Sequence, residues 1–153
     1  MKEVYIPRRE MNRKHRIWLG AVFLLIFNCY KGYALDVSKE TACHCLLGEA
    51  RGEVAKYGYN SLLAVAEAIR NRGTLQGVYG CKAVFKQKDI LYMRRIGLYD
   101  MALKAWNESE NSNILKGAQY WGSTLVDTKW ILTMKKAGYK MTYRIGNQEY
   151  YKE

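Results

Sequence analysis

With 153 residues, 49% of them hydrophobic and 13% aromatic, the chain has room for one domain with a modest core and is too apolar for a disordered tail. Its net charge of +11 divides between +5 over residues 1–34 and +6 over the remainder, so an acidic polymer or surface suits it, whether cell wall, lipid or nucleic acid. Thirteen tyrosines and four tryptophans suit a carbohydrate groove, although packing is the ordinary use of most aromatic side chains.

Residues 1–16 are basic, and residues 17–27 (IWLGAVFLLIF) form an apolar run too short to span a bilayer comfortably. Polar residues then lead to Gly32-Tyr33-Ala34, which places small residues at the −3 and −1 positions of a cleavage site. This is the pattern of an export signal over 1–34, with Met11 as an alternative start and a retained membrane anchor as the alternative fate. Cys29 lacks the preceding small residues that a lipidated cysteine needs. The expected domain is therefore 35–153.

Asp36 or Ser38 is placed to cap a helix with Glu40 in its first turn, and apolar residues continue to Leu47. Gly48 and Gly52 read as bracketing that helix's end. Residues 57–59 form a connector, and Asn60 or Ser61 caps a second helix over 62–72. Leu62, Leu63, Val65, Ala66 and Ile69 give it an apolar face, and Gly73 closes it. Residues 77–89 are expected to be irregular, 99–107 a third helix and 108–113 a polar loop. Residues 117–125 read as a strand and turn, and 139–152 as a hairpin turning at Gly146-Asn147. The sum is a small α+β domain, mainly helical, with a C-terminal hairpin or small sheet.

Glu49, between Gly48 and Ala50 and after the apolar pair Leu46-Leu47, is the leading acid. A carboxylic acid shielded by apolar packing beside a groove favours its neutral form, the state a general acid requires. Glu53 lies four residues on, so an unbroken helix would put both carboxylates on one face. Gly52 argues for a break, which leaves Glu53 to pair with Arg51 or Lys56. Glu67 and Arg70 read as a surface pair, and Asn71-Arg72 as a helix C-terminal cap with a dipole-compensating cation. The spacing of Cys43-His44-Cys45 is too tight for the usual zinc sites, and His15 lies in the leader, so no metal is expected. In an exported protein Cys81 would pair with Cys43 or Cys45 and leave one thiol over.

GEARGE (48–53), followed by AVAEAIRNR (64–72), resembles the SleB/CwlJ-type cell-wall hydrolases, first known from spore-cortex lysis. That family's pattern is E-A-R-G-E, a spacer, then A-V-A-x-V-x-x-N-R. GAQYW (117–121) and TYRIGNQEYY (142–151) resemble its closing strand and hairpin. The four motifs stand in the family's order and cover most of 42–152. The middle departs from it: VFKQKD (84–89) is a loose counterpart of a Q-F-S-like stretch, and ESENSN (108–113) stands where the family has a D-P-T-like turn.

The resemblance implies a lysozyme-like fold and a peptidoglycan glycosidase, either a lytic transglycosylase or a muramidase. Such an enzyme cuts the MurNAc–GlcNAc bond with one essential acid, which motif position makes Glu49. Arg51 would contact carboxyl groups of wall peptides or pin its own loop, and Glu53 is a secondary site residue. Tyr120 and Trp121 are the first expected substrate contacts, with Trp106, Trp130, Tyr143, Tyr150 and Tyr151 as further stacking candidates. No cofactor and no nucleic acid are expected. The partner is the glycan strand, membrane contact comes only through the leader, and the protein is an exported monomer. The alternative is a non-catalytic wall-binding protein that keeps the fold.

Overall fold

Ser38 starts the first helix: its hydroxyl accepts the Thr41 N–H at 3.2 Å, and Glu40 follows in the first turn. The computed structural model describes residues 35–153, so the export signal read in 1–34 lies outside the described part. The described residues form one compact unit with its own cores.

Helix α1 spans Lys39–Tyr57 and runs straight through Gly48 and Gly52, where the sequence reading expected it to end. The break falls at Gly58 instead. Its φ of 70° is a left-handed value that glycine adopts readily, and its N–H bonds the Val54 carbonyl at 2.9 Å. Gly48 serves a different purpose. A short 3-10 turn, Tyr79–Lys82, lies directly on α1, and a Cβ on Gly48 would overlap the Gly80 carbonyl. A Cβ on Gly80 would likewise overlap the Cys45 carbonyl and the Glu49 nitrogen. Two glycines thus let two backbones touch, and the Cys45–Cys81 disulfide, with its Cα atoms 4.0 Å apart, fastens them.

Cys43 is the thiol left over. It points to another face of α1, and burial, reinforced by Glu40, pushes its pKa up to about 11, so it stays a thiol at neutral pH.

Helix α2 spans Tyr59–Arg72. It begins at Gly58 without a side-chain cap; Ser61, expected as a cap, instead turns its hydroxyl back to donate to the Gly58 carbonyl at 2.7 Å. Gly73 closes α2 as expected, in the left-handed conformation with φ 71°. Helix α3, Gln87–Arg95, starts inside the stretch read as irregular, where Asp89 accepts the Lys86 N–H at 3.1 Å and so caps it. Helix α4, Leu98–Glu108, lies close to the expected 99–107.

Strand β1 (Tyr120–Ser123) is followed by helix α5 (Thr128–Lys136), which the sequence reading did not anticipate. Strands β2 (Lys140–Ile145) and β3 (Gln148–Lys152) form the expected hairpin at Gly146-Asn147. The three strands pair antiparallel in the order β1-β3-β2, with Trp121 opposite Tyr150 and Tyr143 opposite Tyr150. Five α-helices and this small sheet make the domain α+β.

The main core joins α1, α2 and α4 through Leu46, Leu47, Leu62, Ile69 and Trp106. A second cluster, Ala64, Ala68, Leu115 and Tyr150, seats the sheet on α2, and Ile131, Met134 and Tyr151 seat α5 on the sheet. Burial of each large apolar side chain stabilises by about 1.5–3 kcal/mol. Trp106, Tyr150 and Tyr151, carried from the sequence as stacking candidates, are spent in these cores and present no face to a sugar. The hairpin is tied to α1 at its far end: the Tyr57 ring lies over Gly146, where no Cβ would fit, and Asn147 donates to the Tyr57 hydroxyl at 3.4 Å. Among the described residues no helix is long and apolar enough to cross a membrane.

Candidate active site

The contact between α1 and the 3-10 turn places Glu49. The Gly80 N–H donates to Glu49 Oε1 at 2.6 Å, so one carboxyl oxygen is held by backbone rather than by a mobile side chain. Oε2 takes no hydrogen bond from the described residues. Glu49 is half-buried and opens on a cleft of about 470 Å³. Tyr79, Tyr120, Trp121 and Trp130 give the cleft aromatic walls, and Arg72, Asp127 and Gln148 supply its polar groups.

The walls converge from distant parts of the chain. Asn71, at the end of α2, donates its side-chain amide to the Ala118 carbonyl at 3.0 Å, and Gln119 returns a bond to the Asn71 carbonyl at 3.1 Å. These bonds lock the lead-in to β1, which brings Tyr120 and Trp121 into the cleft wall. The Trp130 ring rests on the bare backbone of Gly122, where a Cβ would come within 2.8 Å of the indole. Asp127 heads α5 and accepts the Ser123 N–H at 2.8 Å, fixing the turn that carries Trp130.

Other predicted site residues fall elsewhere. Arg51 is exposed, with its guanidinium 4.9 Å from the centroid of the Phe85 ring, and is not among the residues of the cleft wall. The loop that Arg51 was expected to pin is absent, because residue 51 lies inside the unbroken helix α1; its guanidinium reaches Phe85 beyond the 3-10 turn instead. Glu53 does share a face with Glu49, because α1 is unbroken, but it forms no ion pair with Arg51 or Lys56. Its Oε2 is buried with no partner among the described residues, as is the hydroxyl of Tyr150. Burial, then Tyr143 and the charges of Glu53 and Glu49, push the Tyr150 hydroxyl well above the ordinary tyrosine range, so it remains a neutral phenol beside these acids.

The surface pair read between Glu67 and Arg70 does not form. Glu67 is 1% exposed and accepts from the Ser112 hydroxyl, the Ile114 N–H at 3.1 Å and the Leu115 N–H at 2.9 Å. Arg70 turns the other way, lies over the Trp106 ring at 4.1 Å, and donates to Ser109 Oγ at 2.8 Å and the Trp106 carbonyl at 3.0 Å.

Sequence reasoning missed Tyr79, Asp127 and Gln148 as cleft residues, and it read Arg72 as a helix-end cation rather than as part of the cleft wall. Residues 77–89 read as irregular, and nothing local says that a turn within them packs on a helix. Among the described residues no group of three or more His, Cys, Asp or Glu side chains is placed to hold a metal ion. Comparison with known protein families, with curated proteins and with solved structures finds no match to this chain.

Proposed function

We propose that the domain is a peptidoglycan glycosidase, a lytic transglycosylase or muramidase that cuts the MurNAc–GlcNAc bond with Glu49 as its acid. The observation that carries this reading is a half-buried carboxyl group with one oxygen held by the Gly80 N–H and the other unbonded, set in an aromatic-walled cleft. The order of the GEARGE, AVAEAIRNR, GAQYW and IGN motifs supports it. The disulfide suits an exported protein, since such bonds persist in oxidising compartments.

In this mechanism protonated Glu49 gives its proton to the glycosidic oxygen as the C–O bond breaks. The resulting carboxylate faces the positive charge that develops on the sugar ring. It then takes a proton from the nucleophile that attacks the anomeric carbon. A water nucleophile leaves a reducing muramic end; the sugar's own hydroxyl closes an anhydro ring. Tyr120, Trp121 and Trp130 supply faces for the apolar sides of the sugar rings.

Digestion of purified peptidoglycan by residues 35–153, with Glu49→Gln alongside and muropeptides read by mass spectrometry, tests the assignment. Anhydro-muramic ends that vanish in the variant identify a lytic transglycosylase, and reducing muramic ends that vanish identify a muramidase. Intact glycan with both proteins would replace this reading with that of a wall-binding protein.

A further inference from the structure

The mechanism leaves one charged group in the cleft unused: the guanidinium of Arg72. It sits at the end of α2, half-buried and on the same cleft wall as Glu49. Two surfaces hold it in place. Its Cζ lies 5.7 Å from the centroid of the Tyr120 ring. On another side is the backbone of Gly77, where a Cβ would come within 2.9 Å of Nη2 and 3.7 Å of Nη1. Gly77 has a φ of 78°, so both its conformation and its bare backbone suit this seat.

Arg72 makes no ion pair and no hydrogen bond with any described residue, whereas Arg70, two residues earlier, has two hydrogen-bond acceptors. The other acid of the cleft besides Glu49, Asp127, has Oδ2 engaged by the Ser123 N–H. A guanidinium carries five donors in a planar fork, remains charged at any working pH and matches a carboxylate in shape. Fixed in a cleft with its donors free, such a group is built to meet an anion that arrives with the ligand.

We propose that Arg72 forms an anion subsite that receives a carboxylate of the glycan strand, and so selects a muramyl rather than a glucosaminyl unit beside Glu49. The inference rests on the glycosidase reading for its choice of ligand and makes that reading specific. The carboxylate has two sources: the free lactyl group of peptide-free muramic acid, or a carboxylate of the stem peptide. In the second case the lactyl group is an amide and carries no charge.

Binding of single sugars separates this proposal from catalysis, because they contain no bond to cut. Titrations of residues 35–153, followed by NMR, would use N-acetylmuramic acid, its carboxamide, and a muramyl dipeptide whose carboxylate lies on the peptide. N-acetylmuramic acid is expected to bind about tenfold more tightly than the carboxamide, the scale of one charge-assisted hydrogen bond. Arg72→Gln should erase that ratio, and Arg72→Lys, which keeps the charge and reports on folding, should retain part of it. Tight binding of the dipeptide would assign the subsite to the stem peptide; weak binding would assign it to the lactyl group.

Equal binding of acid, carboxamide and dipeptide by the wild type would overturn the subsite. So would an Arg72→Gln variant that weakens both ligands equally, and so would the absence of shifts at Gly77 and Tyr120 with every ligand. A domain that discriminates the acid yet leaves intact wall uncut overturns the glycosidase reading and leaves the subsite standing.

Discussion

Two glutamates in this domain accept hydrogen bonds from backbone N–H groups, and they do opposite things. Glu67, on α2, receives two N–H groups and a hydroxyl, and is shut away from solvent beneath the loop that leads to Leu115. Glu49, on α1, receives one N–H from Gly80 and faces a cleft. A carboxylate with both oxygens bonded and no access to solvent can only hold structure. A carboxylate with one oxygen fixed and the other free is oriented without being consumed. The number of donors aimed at each acid, and not the acid itself, separates scaffold from candidate catalyst.

The same chemical change at both positions is the sharpest way to break this comparison. Glu49→Gln keeps an acceptor for the Gly80 N–H but has no proton to give. Release of muropeptides should fall at least about a hundredfold, with thermal stability changed by less than about 1 kcal/mol. Glu67→Gln points an amide at N–H groups that need an acceptor. It should cost about 3 kcal/mol and lower the melting temperature by about 10 °C, with residual activity at permissive temperature. If the effects were exchanged, the roles assigned here would be exchanged with them.

Gly80→Ala probes what positions Glu49. An added Cβ must push the 3-10 turn off α1, because it meets backbone rather than a yielding side chain. A destabilisation of about 1–3 kcal/mol is expected, together with a loss of activity larger than the stability change explains. A variant that melts lower but keeps full kcat would show that the Gly80 contact is structural only.

The smallest expected effect concerns a third acid, Glu149 of β3. The Tyr151 hydroxyl, Lys135 at 3.2 Å and Arg144 at 3.8 Å hold its carboxyl below the usual range, against the opposing influence of burial. A depressed folded pKa stabilises the fold above the unfolded value of about 4.3, and that contribution is lost as pH falls through the lower folded value. Melting temperature should therefore decline below about pH 4.3, and Glu149→Gln should flatten the decline by a few degrees, about 3 °C. Parallel curves for the two proteins would show that Glu149 contributes nothing to acid unfolding.

Much of the fold was legible in local chemistry. The Ser38 cap, the apolar face of α2, its closure at Gly73, helix α4 and the hairpin at Gly146-Asn147 all stand where residue type and spacing put them. Each of these depends on neighbours a few residues away. The misreadings share the opposite cause. Gly48 and Gly52 look like a helix end because glycine weakens helices, but Gly48 is used for the approach of a turn that lies some thirty residues on in the chain. Glu67 looks like a surface acid because the two N–H groups that bury it lie beyond the next two helices.

The sequence by itself therefore determined the α+β class, the order of the main helices and the hairpin, and Glu49 as the acid to watch. Periodicity, caps and turn residues are local signals, and the motifs around Glu49 are contiguous strings. Only the tertiary structure decided that Cys45 rather than Cys43 pairs with Cys81, that α1 is unbroken, and that Arg72 shares a cleft with Glu49 while Arg51 does not. Those outcomes depend on which backbones touch and which side chains converge across long stretches of chain, and no spacing within a short segment encodes them.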